Sequence, residues 1–130
     1  MKKQNPFSAS VCQAPSIEHI EAPPWHLWVP RSYCRIKHAV MLSLDLAPGK
    51  GCRRALAVFD EQRFQEYRDR LAIARARAGH DLPLYENHFE SAKWEGEKVV
   101  RLTEFLAFAE RLGWADLHAM RAALAVESGA

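Results

Sequence analysis

The sequence predicts a mainly all-α fold, a compact bundle of about four helices behind a Pro/Trp-rich N-terminal arm, with one short strand or hairpin. Apolar residues recur at spacings of three and four along several stretches, as on the buried side of a helix. Capping residues precede those stretches, and glycines follow them. Because 130 residues make one domain, we expect an extended or partly disordered arm over 1–24 and a single helical domain over 25–127.

Proline dominates the N-terminal arm, which has no helical period. Its last segment, PPWHLWVP, sets Trp25, Leu27, Trp28 and Val29 between prolines. Apolar residues this dense usually cover a core, so we expect the segment to cross it. The alternative is that an exposed tryptophan pair serves as a docking surface.

Two helices are predicted before the midpoint of the domain. Ser32 is the expected N-cap of the first, which begins near Tyr33 and ends before Pro48 and Gly49. Its buried stripe comprises Tyr33, Ile36, Ala39, Val40, Ser43 and Leu44. Asp60 caps the second helix, over 60–78, and a glycine closes it. The apolar face of this helix comprises Phe64, Tyr67, Leu71 and Ala74.

The C-terminal part predicts a loop followed by two more helices. Residues 80–98 lack a sustained period, and the sequence KVVRL that follows predicts a short extended piece. Thr103 is the expected N-cap of the next helix, and Gly113 ends it, with Trp114 folding back over it in a Schellman arrangement. Asp116 is expected to cap the last helix.

Charge is unevenly distributed along the chain. The formal net charge of +2 is made of +2 over residues 1–49, +4 over 50–79 and −4 over 80–130. This pattern predicts either intramolecular pairing or a basic patch that attracts phosphates or an acidic partner. The candidate basic face comprises Arg53, Arg54, Arg63, Arg68, Arg70, Arg75 and Arg77. The candidate acidic loop comprises Glu86, Glu90, Glu95 and Glu97.

The stretch LDLAPGKGCRRAL invites comparison with phosphate-binding loops. Its two glycines are too close for a Walker loop, and Arg54 stands where a dinucleotide fingerprint needs a third glycine. It is similar to the coenzyme A loop of GNAT acetyltransferases at Gly49 and Gly51, but Leu46 replaces the Gln/Arg of that loop. That loop also follows a strand, whereas a helix is predicted here. We therefore interpret the stretch as a helix end, a turn and the start of the basic segment.

Metal binding and catalysis are weaker hypotheses. Cys34 and His38 lie four apart on a predicted helix and could face one ion, with His19, His26 and Cys52 as further candidates. A Cys34 or Cys52 nucleophile with His38 or His80 as its base has no local sequence signature. We predict no catalytic residue, no metal and no cofactor.

The sequence predicts a cytoplasmic protein of a bacterial or phage-infected bacterial cell. MKKQNPFSAS has the lysines of a signal peptide without its apolar core, and no apolar run approaches the ~20 residues that cross a bilayer. No membrane partner is expected. The three cysteines lack CxxC spacing, which predicts free thiols.

The order of helix-end motifs resembles a family of small, mostly uncharacterised proteins from bacteriophages and mobile elements of proteobacteria. The helix-end match consists of Ala39, Leu42, Ser43, Leu44, Leu46 and Pro48. The closing V-x-L-x-x-F-x-x-x-A-x-x-x-G-W match consists of Val100, Leu102, Phe105, Ala109, Gly113 and Trp114. The resemblance covers about residues 25–120 and implies an all-α domain with a role in mobile-element biology.

The favoured function is a non-enzymatic interaction protein of a bacteriophage or mobile element that binds a host or element-encoded protein. Inhibition of a host defence complex, in the manner of an anti-CRISPR protein, is one form of it. The alternative is a nucleic-acid-binding accessory or regulatory protein that uses the basic helix 60–78.

Overall fold

Short strands interrupt an otherwise helical chain in this computed structural model, which describes residues 15–49, 51–85 and 98–129. A 3₁₀ turn at Ile17–His19 comes first, and another, at Val29–Arg31, follows the first helix. The strands are β1 (Tyr33–Arg35) and β2 (Val99–Arg101). The helices are α1 (Trp25–Trp28), α2 (Ile36–Ser43), α3 (Cys52–Phe59), α4 (Glu61–Arg77), α5 (Leu102–Leu112) and α6 (His118–Gly129). The mainly helical prediction is confirmed, with six helices in the described residues instead of about four.

The two strands form an antiparallel ribbon in which Cys34 pairs with Val100. Each strand runs directly into a helix, β1 into α2 and β2 into α5. The first amide of each helix is bonded across the ribbon: Ile36 N donates to Lys98 O at 3.0 Å, and Leu102 N donates to Ser32 O at 2.9 Å. The ribbon therefore supplies backbone acceptors to helix starts that would otherwise hold free N–H groups.

This arrangement overturns two predicted N-caps. The first long helix begins at Ile36 instead of near Tyr33, and Ser32 adopts a left-handed conformation, with φ of 62°, before β1. Thr103 lies inside α5, whose N-cap position is Arg101 and has no side-chain cap. In both cases the cross-strand carbonyl replaces the hydroxyl that local sequence suggested. The short extended piece at KVVRL is confirmed as β2.

Helix α2 ends earlier than predicted, at Ser43 instead of before Pro48. Leu46 N then donates to Met41 O at 3.0 Å, which turns the chain while Leu44 and Leu46 stay buried. The next helix, α3, was not predicted. It is eight residues long and buries three side chains, Cys52, Ala55 and Leu56, too few for a sustained apolar period.

Other helix ends match the sequence. The Asp60 carboxylate accepts a hydrogen bond from Arg63 N at 3.2 Å, and Gly113 has φ of 75° beyond α5. Trp114 N donates to Ala109 O at 3.1 Å, the backbone bond expected of a Schellman end. Asp116 was a wrong prediction, because α6 begins two residues after it.

The core joins the ribbon to all the longer helices. Its largest fully buried apolar side chains are Phe105, Phe108, Ile36, Leu42, Leu46, Leu56, Leu82, Leu102 and Met120. The segment expected to cross the core is instead a short helix and 3₁₀ turn, in which Trp28 and Val29 are buried but Leu27 is 59% exposed. Over the residues described, no helix combines the length and apolar character of a membrane span.

A buried arginine crosses this core. The Arg70 side chain, on α4, is only 2% exposed and carries a charge among apolar neighbours. Its Nη1 donates to Ser43 O at 3.2 Å and to Ser43 Oγ at 3.1 Å, and its Nη2 donates to Ala115 O at 2.8 Å. Its Nε meets the Glu66 carboxylate at 2.7 Å, and the guanidinium lies 4.9 Å from the centre of the Trp114 ring. Each nitrogen of the guanidinium therefore has a hydrogen-bond partner, as a buried charge requires.

We expect replacement of Arg70 by methionine to lower the free energy of unfolding by about 2–4 kcal/mol, because buried acceptors lose their donors. Urea unfolding measures the change. The matched control is Arg77→Met, since Arg77 pairs with Asp81 at the surface and its loss should cost at most about 1 kcal/mol. Equal costs for the two variants would contradict the role given to Arg70.

Candidate anion-binding groove

A groove of about 660 Å³ lies between α2, α3 and α4, beside Pro48, Gly49 and Gly51. Its basic lining comprises Lys37, His38, Arg53, Arg54 and Arg75. Its apolar lining includes Met41, Pro48, Tyr67 and Leu71. Among the residues that the structure describes, no aspartate or glutamate lines it. The groove thus combines a basic rim with an apolar floor.

Two of the cations lie in the first turn of α3. Because Cys52, Ala55 and Leu56 fill the buried side of this short helix, Arg53 and Arg54 fall on the exposed side. Neither forms an ion pair with a carboxylate in the described residues. The helix macrodipole disfavours cations at a helix start, and the first turn of α3 has no acidic residue. Helix stability therefore does not account for these two arginines.

Helix α4 separates the remaining arginines onto two edges. Arg63, Arg70 and Arg77 are seven residues apart and share one edge of the helix. Each of the three has a carboxylate partner, in Asp60, Glu66 and Asp81 respectively. The hydrogen bond from the Arg63 side chain also holds the pKa of the Asp60 carboxyl below its ordinary value. This edge is neutralised by local pairing.

The other edge of α4 faces the groove. Arg75 and Leu71 line the groove, and Arg68 lies on the same edge, with its guanidinium 5.8 Å from the centre of the Phe64 ring. The seven arginines predicted as one basic face are therefore divided. Arg70 requires a correction, because its side chain is in the core and is not available to a partner. The four glutamates of the acidic loop lie outside the described residues.

Lys37 and His38 were not among the residues of the predicted basic face. Lys37 and Met41 lie four residues apart on α2, so both reach the groove from the same edge of that helix. The spacing was readable in the sequence. The position of α3 opposite these residues could not be predicted, because α3 itself was not predicted.

A smaller pocket of about 230 Å³ adjoins the groove through His38, which lines both. Its other lining residues are Arg31, Tyr33, Cys34 and Arg35. Cys34 belongs to β1 and His38 to α2, so the prediction that both lie on one helix is wrong. Burial raises the pKa of the Cys34 thiol to about 12. The thiolate needed by a nucleophile or a metal ligand is therefore scarce near neutral pH.

The second described thiol has a similar environment. Burial is the main cause that raises the pKa of Cys52, at the start of α3, and the nearby Glu21 carboxylate raises it further. No group of three or more histidine, cysteine, aspartate or glutamate side chains is placed to hold a metal ion within residues 15–49, 51–85 and 98–129.

The turn between α2 and α3 is held by the N-terminal segment. Ala47 N donates to Glu21 O at 2.8 Å, and His19 packs against Gly51. Gly51 has φ of 84°, and a Cβ there would lie 2.9 Å from His19 Nδ1. A helix precedes this turn, as the comparison with the acetyltransferase loop anticipated.

Comparison of the chain with protein-family models, with curated proteins and with solved structures gave no match. The resemblance to small proteins of phages and mobile elements stays a prediction.

The two glycines of the turn provide a matched test of its geometry. We expect Gly51→Ala to lower the free energy of unfolding by about 1–2 kcal/mol, because alanine is strained at this positive φ. Gly49→Ala, with no heavy atom within 4 Å of the added Cβ, should change it by at most about 1 kcal/mol, in the stabilising direction. Urea unfolding of both variants measures the two changes. A larger loss of free energy of unfolding for Gly49→Ala than for Gly51→Ala would contradict the described turn.

The Cys34 thiol predicts a pH dependence of stability. Above about pH 9 the unfolded chain loses this proton, while the folded chain keeps it until about pH 12. The free energy of unfolding should therefore fall with rising pH, by about 1.4 kcal/mol per pH unit from this group. Urea unfolding of wild type and Cys34→Ala from pH 7 to 10.5 isolates the effect. The difference in free energy of unfolding between the two proteins should be constant below pH 8. Above pH 9 the wild type should lose stability relative to Cys34→Ala, and a constant difference over the whole pH range would contradict the role given to this thiol.

Proposed function

We propose that this chain is a non-enzymatic binding protein that takes an acidic segment of a protein partner into the groove between α2, α3 and α4. The observation that carries the proposal is the convergence of Lys37, Arg53, Arg54 and Arg75 on one groove without a lining carboxylate in the described residues. Three separate helices contribute these cations. A partner carboxylate would supply a counter-charge to Arg53 and Arg54, which have none among the described residues.

The position of Arg53 and Arg54 supports a role in binding. Both are exposed, unpaired with any described carboxylate, and placed where the α3 dipole opposes them. Exposed cations keep their hydration until a partner arrives, so they steer an acidic surface into place and favour it over basic competitors.

The alternative, nucleic acid lying along helix 60–78, has less support. Arg63 and Arg77 are paired with neighbouring carboxylates, and Arg70 is buried. Arg68 and Arg75 lie on the opposite edge of α4, and two arginines are few positive charges along the helix for a phosphate backbone.

The resemblance to proteins of bacteriophages and mobile elements supports a partner encoded by the host or the element. Under this proposal the protein occupies a surface that the partner needs for another interaction. Inhibition of a host defence complex would be one outcome of that occupation.

Charge reversal at α3 tests the proposal. We expect Arg53→Glu/Arg54→Glu to weaken partner binding by about tenfold or more, while the fold stays equally stable or gains a few tenths of a kcal/mol from the acidic residues at the helix start. Affinity capture from nuclease-treated bacterial lysate, followed by mass spectrometry, compares the proteins retained by each variant.

The matched control is Arg111→Glu/Arg121→Glu, the same charge change on α5 and α6, outside the groove. A genuine partner is retained by the wild type and this control and is lost from the α3 variant. If both variants retain the same proteins as the wild type, the groove is not the binding surface.

A further inference from the structure

We infer that the groove recognises an acidic segment in which an apolar side chain stands between carboxylates. This inference rests on the proposed function and adds the sequence pattern of the segment. It follows from the combination of charge at the rim and apolar surface at the floor.

The floor of the groove gives the apolar part of the pattern. Leu71 and Pro48 are half-buried and provide the accessible apolar surface, whereas Met41 and Tyr67 are only 6% and 4% exposed. These side chains belong to α2, α4 and the turn between α2 and α3, so the surface they offer is already in place before a partner binds. An apolar side chain that enters the groove leaves water for an apolar contact.

The rim gives the acidic part of the pattern. Lys37 reaches the groove from α2, Arg53 and Arg54 from α3, and Arg75 from α4. A segment crossing the groove therefore meets cations from three different helices. Each guanidinium can bind a carboxylate through paired N–H donors. Because the cations are spread over three helices, carboxylates that flank the apolar side chain can each find a partner, which a single one at its end cannot exploit.

The size of the groove suits a peptide segment better than a single ion. At about 660 Å³ it falls within the range of pockets that enclose a drug-sized ligand, roughly 300–1,000 Å³. Room for several side chains agrees with one apolar residue and its acidic neighbours.

Features of the floor argue against nucleic acid as the occupant. Proteins that bind single strands offer aromatic faces to the bases, and the one aromatic ring besides His38 among the described lining residues is Tyr67, which is 4% exposed. A ring this deeply buried offers no face on which a base could stack, so the floor disfavours a single strand with stacked bases.

Fluorescence anisotropy with three labelled probes tests the inference. The first is a peptide with two glutamates on each side of a leucine, the second has serine in place of that leucine, and the third is a single-stranded oligonucleotide of the same net charge. We expect the leucine peptide to bind about tenfold or more tightly than the serine peptide, and the oligonucleotide to bind no better than the serine peptide.

Two variants assign the effect to the groove. Leu71→Gln should abolish the preference for leucine while leaving the serine peptide unchanged, and Arg53→Glu/Arg54→Glu should weaken both peptides at least tenfold. Thermal unfolding of each variant establishes that it is folded. For Leu71, which is half-buried, Leu71→Ala serves as the second floor variant if the glutamine variant does not fold.

The outcomes separate this inference from the proposed function. Equal affinity for the two peptides overturns the acidic–apolar pattern and leaves the proposed function standing. The same holds if neither peptide binds while the capture of a protein from lysate still depends on Arg53 and Arg54. Tighter binding of the oligonucleotide overturns the pattern and the choice of a protein partner together. If none of the three probes binds, and the Arg53→Glu/Arg54→Glu variant captures the same proteins from lysate as the wild type, both proposals are overturned.

Discussion

The hydrogen-bonded burial of Arg70 fixes the geometry on which the groove depends. Its guanidinium joins the end of α2, at Ser43, to the segment that follows α5, at Ala115, and both bonds originate from α4. A charge buried to this degree is stable only with its donors satisfied, so α4 cannot rotate about its axis without breaking several bonds. The rotation that turns Arg70 inward also turns Arg75, on another edge of α4, toward the groove. The buried charge and the proposed binding surface are thus two results of one helix orientation.

Local pairing explains why only some of the arginines in the basic segment are available to a partner. On the Arg70 edge of α4, each arginine has an acidic residue three or four positions away, and the ion pair forms within the helix or just beyond its end. On α3, the first turn has no acidic residue, and its two arginines lie beside an apolar floor instead. A count of positive charge along the sequence treats these two sets alike. Their neighbours three and four residues away distinguish them.

Elements with local determinants were the ones predictable from sequence. Asp60, Gly113 and Trp114 act on residues within one turn, and their roles follow from side-chain chemistry and backbone conformation alone. The starts of α2 and α5 depend on hydrogen bonds between β1 and β2, which are distant in sequence, and no local pattern reports such bonds. Helix α3 is too short to show a period, and so the groove beside it could not be foreseen. Arg70 did carry a signal, since it falls on the same stripe as Tyr67 and Ala74, but a single arginine in an apolar stripe is easily read as part of the charged face.

The ribbon of β1 and β2 has a consequence for how the chain reaches its native state. The first backbone N–H of α2 and the first of α5 have no acceptor until β1 and β2 have paired. These two strands are far apart in the sequence, because α3 and α4 lie between them. Closing that loop costs chain entropy before the ribbon bonds and the core contacts of both helices offset it. We therefore expect the two helices to dock together, and the long-range encounter of β1 with β2 to limit the rate of folding.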